Sequence, residues 1–122
     1  MKGSLALIAA VCGVTAFSAA AEAKAARCEL VIDGEGSYSG PCNFALMEHG
    51  SFEISAVDKR RNLIGELESI AVWVGASSNN MPNKAFYSYT RKNDVSRNGA
   101  ELTRQKNKPA CWVGQYDKIC VY

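Results

Sequence analysis

Apolar and polar residues alternate in short runs along residues 24–122, and glycine, proline and asparagine interrupt these runs repeatedly. Runs of this kind, rich in Val, Ile, Tyr and Phe, are typical of β-strands joined by tight turns. They predict strands within 27–33, 42–47, 51–57, 70–74, 85–91, 100–104, 111–113 and 118–122. About seven or eight short strands in sequential hairpins indicate an all-β fold, either a small antiparallel barrel or a sandwich. Because no crossover helices separate the strands, a parallel α/β fold is not expected.

Residues 63–74 are the one serious helix candidate in this region. Glu66 and Glu68 are followed by Ile70-Ala71-Val72-Trp73-Val74, and the whole segment has no clean period-two face. Its second half is β-branched and aromatic, which favours a strand. We therefore predict a strand at 70–74.

The N-terminal residues carry the features of a cleavable signal peptide. Lys2 precedes an apolar run from Leu5 to Phe17, and small residues follow directly. A charged region, a short apolar region and an Ala-x-Ala-type site form the pattern of secretory signals, with cleavage here after Ala21 or Ala23. A membrane anchor is the alternative, but the apolar run is shorter than the roughly 20 residues that a bilayer core requires. The pattern predicts a signal peptide at 1–23 and a periplasmic or secreted product with no stable membrane span after processing.

The cysteines support an exported, disulfide-stapled domain at 24–122. One of the five cysteines, Cys12, leaves with the predicted signal peptide, and four remain: Cys28, Cys42, Cys111 and Cys120. An even number in an exported chain indicates two disulfides, and four cysteines allow three pairings. Pairing Cys28 with Cys42 and Cys111 with Cys120 is favoured, since each pair brackets a short segment with turn residues at its middle. A zinc site is the alternative, but there is no Cys-x-x-Cys and the sole histidine has no ligand-spaced partner.

Charge is unevenly distributed along the chain, with a net charge of +2 overall. Residues 24–83 carry five basic and eight acidic side chains, whereas residues 84–122 carry eight basic and three acidic ones. Such polarity can steer an anionic partner, although charges at distant sequence positions can also cancel on a folded surface. Nucleic acid is not an expected partner, because the product is exported and no recognition motif is present.

The residues that could carry out catalysis do not form a recognisable constellation. His49 is the only histidine and lies in a turn-like segment, and Glu66 and Glu68 are spaced like solvent-facing residues of a strand. Nucleophilic catalysis needs a nucleophile, a base within reach and a group that orients the base. A stacking platform for sugars is a further hypothesis, to be weighed against ordinary packing of the same aromatics; its members would be Trp73, Tyr87, Tyr89, Trp112, Tyr116 and Tyr122. No metal, cofactor or nucleotide site is supported. Function is therefore expected in a loop on a rigid β scaffold, with 76–84 and the adjacent strand end 87–92 as the candidate surface.

The two ends of the predicted domain resemble a group of uncharacterised short exported proteins of Gram-negative bacteria. The resemblance rests on Cys28-x-Leu-Val-Ile-Asp-Gly, on Gly40-Pro41-Cys42-x-Phe44, and on Ala110-Cys111-Trp112-Val113 followed by Ile119-Cys120. It covers about a third of residues 24–122 and implies an exported protein, without indicating an activity.

A second resemblance is to the C-type lysozyme inhibitors of the bacterial periplasm, which are small disulfide-bearing antiparallel barrels. Phe86-x-x-x-Thr90-Arg91-Lys92 is similar to the family's Tyr-x-x-x-Thr-Lys-Gly strand end, with Lys92 in place of the glycine. Ser77-Ser78-Asn79-Asn80 stands where the family has a Ser-Gly-x-x-Tyr loop, and lacks the glycine. The resemblance implies that Arg91 offers a cation to catalytic carboxylates and that Ser78 offers a hydroxyl. Tyr89, in the candidate strand end 87–92, is the third predicted partner-binding residue. A solvated strand end is the alternative.

The sequence as a whole predicts an exported, non-enzymatic binding protein of the bacterial envelope that binds a protein partner. In the most specific form of this prediction, the partner is a lysozyme-type hydrolase. The alternatives are a structural or surface-accessory envelope protein with no soluble enzyme partner, and a small enzyme acting through Glu66, Glu68 or His49.

Overall fold

The computed structural model describes residues 23–75, 81–92 and 94–122, so the predicted signal peptide lies outside the described residues apart from Ala23. A short 3-10 turn spans Glu48–Gly50. No helix in these ranges has the length and apolar character needed to cross a membrane. The strands in the same ranges are β1 (Lys24–Ile32), β2 (Gly36–Leu46), β3 (Phe52–Ser55), β4 (Leu67–Val74), β5 (Lys84–Arg91), β6 (Asp94–Arg104), β7 (Cys111–Val113) and β8 (Lys118–Val121).

These eight strands form a closed antiparallel barrel in which each strand pairs with the next along the chain. The sheet closes where β8 pairs with β1, with Val121 opposite Cys28 and Lys118 opposite Val31. Among the described strands, closure pairs the first with the last, and a closed sheet does not present an edge for association with another chain. The predicted all-β antiparallel fold is confirmed, in its barrel form.

The segment 63–74 forms a tight turn followed by a strand. The amide of Leu63 donates to the carbonyl of Leu67 at 2.8 Å, and the amide of Leu67 donates to the carbonyl of Ile64 at 2.8 Å. β4 then pairs with β3 from Ser69 to Val72. The strand predicted at 70–74 is therefore confirmed, and the helical alternative does not form.

Alternate side chains of the strands point into the barrel and fill its middle. In β1, Cys28, Leu30 and Ile32 are buried, whereas the intervening Glu29 and Val31 are more exposed. The central layer consists of aliphatic side chains that are almost wholly buried: Leu30, Ile54, Ile70, Val72, Leu102 and Ile119. Burying one such side chain stabilises a fold by about 1.5–3 kcal/mol, so this layer is the main source of stability.

Two disulfides link neighbouring strands and match the pairing favoured by the spacing of the cysteines. Cys28–Cys42 joins β1 to β2 with a Cα–Cα distance of 5.9 Å, and Cys111–Cys120 joins β7 to β8 with 4.0 Å. Their sequence separations are 14 and 9 residues. In the chain-entropy model, loops of this size correspond to about 3 and 2.5 kcal/mol of stabilisation.

The two ends of the barrel differ in how they are covered. We call one the closed end, because residues 63–67 lie across it and bury Leu63 and Ile64 to 3% and 4% exposure. The 33–35 turn, the β3–β4 loop and the 114–117 turn lie at this end as well. The opposite end, where β1 begins and β2, β4, β6 and β8 finish, is called the open end. Each end of the barrel therefore has its own surface.

Candidate functional site at the closed end

The end of β5 is held at the closed end by two ion pairs. Arg91 is the last residue of β5, and its Nη2 lies 2.6 Å from Oε2 of Glu35 while its Nη1 lies 2.8 Å from Oε1 of Glu66. Glu35 also accepts a hydrogen bond from the amide of Glu66 at 2.9 Å. The Glu35 side chain is only 9% exposed and that of Arg91 is 28% exposed. The cluster therefore ties the β1–β2 turn, the β3–β4 loop and β5 together.

The backbone conformation of Gly65 allows the β3–β4 loop to contact the β1–β2 turn. Gly65 adopts φ of +55°, a region that favours glycine, and a Cβ at this position would lie 2.9 Å from the backbone oxygen of Glu35. The β3–β4 loop can approach the β1–β2 turn this closely because residue 65 has no side chain.

A second polar contact crosses the barrel from Tyr87 to Asp117. Asp117 is 6% exposed, and its Oδ1 accepts a hydrogen bond from the hydroxyl of Tyr87 at 3.0 Å and from the amide of Asp33 at 2.9 Å. Desolvation, with the nearby charge of Asp117, raises the pKa of the Tyr87 phenol above its ordinary value. Tyr87 is therefore a neutral donor throughout the physiological range.

The Tyr87 ring packs directly on the backbone of β6. A Cβ added at Gly99 would overlap that ring. A glycine is thus required where β5 and β6 shift register between Phe86 and Ser88. The arrangement fixes the Tyr87 hydroxyl against Asp117.

These groups line a cleft of about 260 Å³ that we call the closed-end cleft. Tyr116 stands at its rim with 64% of its surface exposed. The guanidinium of Arg91 lies 5.7 Å from the ring centroid of Tyr89, and the Tyr87 and Tyr89 rings are 6.2 Å apart. The complete lining is Ile32, Asp33, Glu35, Tyr87, Tyr89, Arg91, Gly99, Ala100, Tyr116 and Asp117. The cleft thus presents tyrosines and one arginine on a rigid frame.

The structure brings two of the three predicted partner-binding residues together. Tyr89 and Arg91 share the closed-end cleft, whereas Ser78 lies outside the described residues. The nearest described residues before and after Ser78 are Gly75 and Met81, and both lie at the open end. There the amide of Gly75 donates to the carbonyl of Lys84, at the start of β5, at 2.7 Å. Arg91 is neutralised by two carboxylates and does not project as an isolated cation.

The other predicted groups are distributed over different parts of the barrel. His49 lies in the 3-10 turn with φ of +60°, at the open end, whereas Glu66 pairs with Arg91 at the closed end. His49 and Glu66 therefore lie at opposite ends of the barrel. Among the aromatics, Tyr87 and Trp112 are buried to 3% exposure, and Tyr116 and Tyr122 are exposed at opposite ends.

Glu35 and Asp117 are part of the cleft, and no sequence pattern marks either of them as a functional residue. Glu35 stands between two glycines in what the sequence suggests is a flexible hairpin, and Asp117 stands in a turn between two cysteines. The sequence does carry a signal for the other side of the cleft. Tyr87, Tyr89 and Arg91 are spaced by two residues, which places all three on the inner face of one strand.

No protein-family model matches this chain, and no match was found among curated proteins or among solved structures. The site must therefore be interpreted from its own residues.

Proposed function

We propose that the protein is an exported, non-enzymatic binding protein of the bacterial envelope that docks a protein partner on its closed end. The observation that carries this proposal is the composition of the closed-end cleft, with Tyr89, Arg91 and Tyr116 around one concavity. Tyrosine and arginine are the residue types that most often dominate the energy of protein–protein interfaces.

Preorganisation of the cleft supports the same proposal. Arg91 is held by two carboxylates and by the Tyr89 ring, and Tyr87 is held by Asp117. Side chains that are already ordered lose little conformational entropy on binding, so more of the contact energy appears as affinity. The barrel and its two disulfides supply the rigid support.

In its most specific form, the proposal is that the protein inhibits a lysozyme-type hydrolase. The ion pairs at the closed end determine which residue can supply the cation for that contact. Arg91 is already neutralised, so it is not the cation that we expect to enter a cleft with catalytic carboxylates. Lys92 follows it, is exposed, and forms no ion pair within the described ranges. We therefore assign the cationic contact to Lys92, the position where the resembling inhibitors have glycine, and the apolar anchor to Tyr116.

A titration of purified C-type lysozymes in a lytic assay tests this form. The protein is produced with its own N-terminal segment in an exporting host and purified oxidised from the periplasm. Tyr116→Ala and Lys92→Glu are each expected to weaken inhibition by about tenfold or more. The matched control is Lys106→Glu, because Lys106 is also exposed but lies in the β6–β7 loop at the open end.

The possible outcomes distinguish inhibition of a hydrolase from our choice of docking surface. An inactive wild-type protein at large molar excess removes the hydrolase version and favours the structural or surface-accessory alternative. Inhibition that survives both Tyr116→Ala and Lys92→Glu keeps a binding role but contradicts our choice of surface.

A further inference from the structure

The open end of the barrel contains a second concavity, which we call the mouth. It has a volume of about 600 Å³, within the range of about 300–1,000 Å³ of small-molecule sites. Inward-facing apolar side chains form its wall, and the rings of Phe44 and Phe52 lie 5.2 Å apart within it. The apolar side chains of this wall that also contact the core are Ala26, Phe44, Phe52, Val74, Trp112 and Val121.

The rim of the mouth is cationic. Lys24 and Arg104 are exposed there, and no acidic residue is among the described residues that line the mouth. Arg104 is oriented by its Nε donating to the carbonyl of Pro109 at 2.7 Å and by the Trp112 ring, whose centroid is 5.3 Å from its guanidinium carbon. Neither Lys24 nor Arg104 has an ion-pair partner in the part of the chain that the structure describes.

The depth of the mouth is limited by the core. Beneath its wall the barrel is filled by Leu30, Ile54 and Ile119, which are at most 1% exposed. An apolar group can therefore enter the mouth but cannot pass far along the barrel axis. The geometry fits one short hydrocarbon chain with its polar end at the rim.

We propose that the mouth is a binding site for a single-chain amphiphile with an anionic head group, such as a carboxylate or a phosphate monoester. The chain packs against the apolar wall, and the head group pairs with Lys24 and Arg104. This site is independent of the proposed protein-binding role, since it lies at the opposite end of the barrel. Charge complementarity selects the anion over a cationic or neutral amphiphile.

Calorimetric titration of the oxidised exported protein below the critical micelle concentration tests the proposal. Dodecanoate is expected to bind one-to-one, and dodecyltrimethylammonium about tenfold more weakly or not at all. In a series of shorter fatty acids, each added methylene is expected to raise the affinity by about fourfold until the mouth is filled, because each buried methylene contributes a constant increment.

Variants at the mouth separate the roles of head and tail. Lys24→Glu and Arg104→Glu are expected to remove the preference for the anion, and Val74→Trp is expected to block the chain. The matched control is Lys59→Glu, an exposed lysine in the β3–β4 loop at the closed end, with unchanged binding expected. Thermal unfolding of each variant checks that the barrel is intact.

Three results would overturn the proposal. They are no saturable binding of dodecanoate to the folded protein, equal affinity for the cationic amphiphile, and binding that occurs only on vesicles of anionic lipid. The last result would identify the rim as a membrane-surface contact instead of a site for a free amphiphile.

Discussion

Replacing Tyr87 by Phe removes a single hydroxyl from the closed end while keeping the ring. The hydroxyl is buried and donates to Oδ1 of Asp117 at 3.0 Å, so among the donors in the described residues the carboxylate would keep the amide of Asp33. Hydrogen bonds to charged groups contribute about 1.5–3 kcal/mol, and an unsatisfied buried acceptor adds a penalty. We expect Tyr87→Phe to lower the free energy of unfolding by about 2 kcal/mol at pH 7.

The same variant has a characteristic pH dependence. The pKa of Tyr87 is raised in the folded state, so the unfolded chain loses this proton first as pH rises. The contribution of Tyr87 is complete below about pH 10, the ordinary tyrosine pKa, and declines above it. At pH 11 the difference between wild type and Tyr87→Phe should therefore be clearly smaller than at pH 7.

Urea unfolding of both proteins from pH 7 to pH 11 measures this effect. The control is Tyr116→Phe, whose hydroxyl is exposed and contacts only the side chain of Gln115 at 3.1 Å among the described residues. It should change the free energy of unfolding by less than about 0.5 kcal/mol. If Tyr87→Phe costs no more than Tyr116→Phe, or if its cost is independent of pH, the buried Tyr87–Asp117 contact does not have the role assigned to it.

Three further changes test other contacts. Gly99→Ala should destabilise the fold by about 1–3 kcal/mol because the new methyl overlaps the Tyr87 ring, and the loss should shrink when Tyr87→Leu is added in a double-mutant cycle. Replacing both Cys28 and Cys42 by Ser should lower the free energy of unfolding by about 3 kcal/mol, measured by denaturation without reductant, and a loss below 1 kcal/mol would contradict the chain-entropy estimate. Glu35→Gln should cost about 1–2 kcal/mol at pH 7, since it removes one carboxylate from a largely buried guanidinium contact, and an unchanged melting temperature would argue against that contact.

The barrel and its staples could be predicted because their signals are local. Alternation within β1, from Cys28 to Ile32, places the apolar residues on one face whatever strand lies beside it. Each disulfide joins strands connected by a short turn, so the nearest pairing was also the correct one. Closure into a barrel, in contrast to a sandwich, depends on the pairing of the first strand with the last, which no local pattern encodes.

The closed-end cleft depends on contacts between distant residues, and this is why the sequence indicated only part of it. Tyr89 and Arg91 could be predicted as one surface because they alternate on one strand. The partner of Arg91 is Glu35, 56 residues earlier, and the partner of Tyr87 is Asp117, 30 residues later. An arginine at a strand end suggests a free cation until its carboxylates are known, and only the fold brings them within 2.6 and 2.8 Å.

Hydrogen–deuterium exchange of the oxidised protein, with and without a C-type lysozyme in excess, tests whether the closed end is the docking surface. A partner docked on the closed end should slow exchange in residues 88–92 and 114–118 and leave residues 46–50 and 104–110 at the open end unchanged. Protection confined to the open end, or no protection anywhere, would contradict the assignment of the closed end as the docking surface.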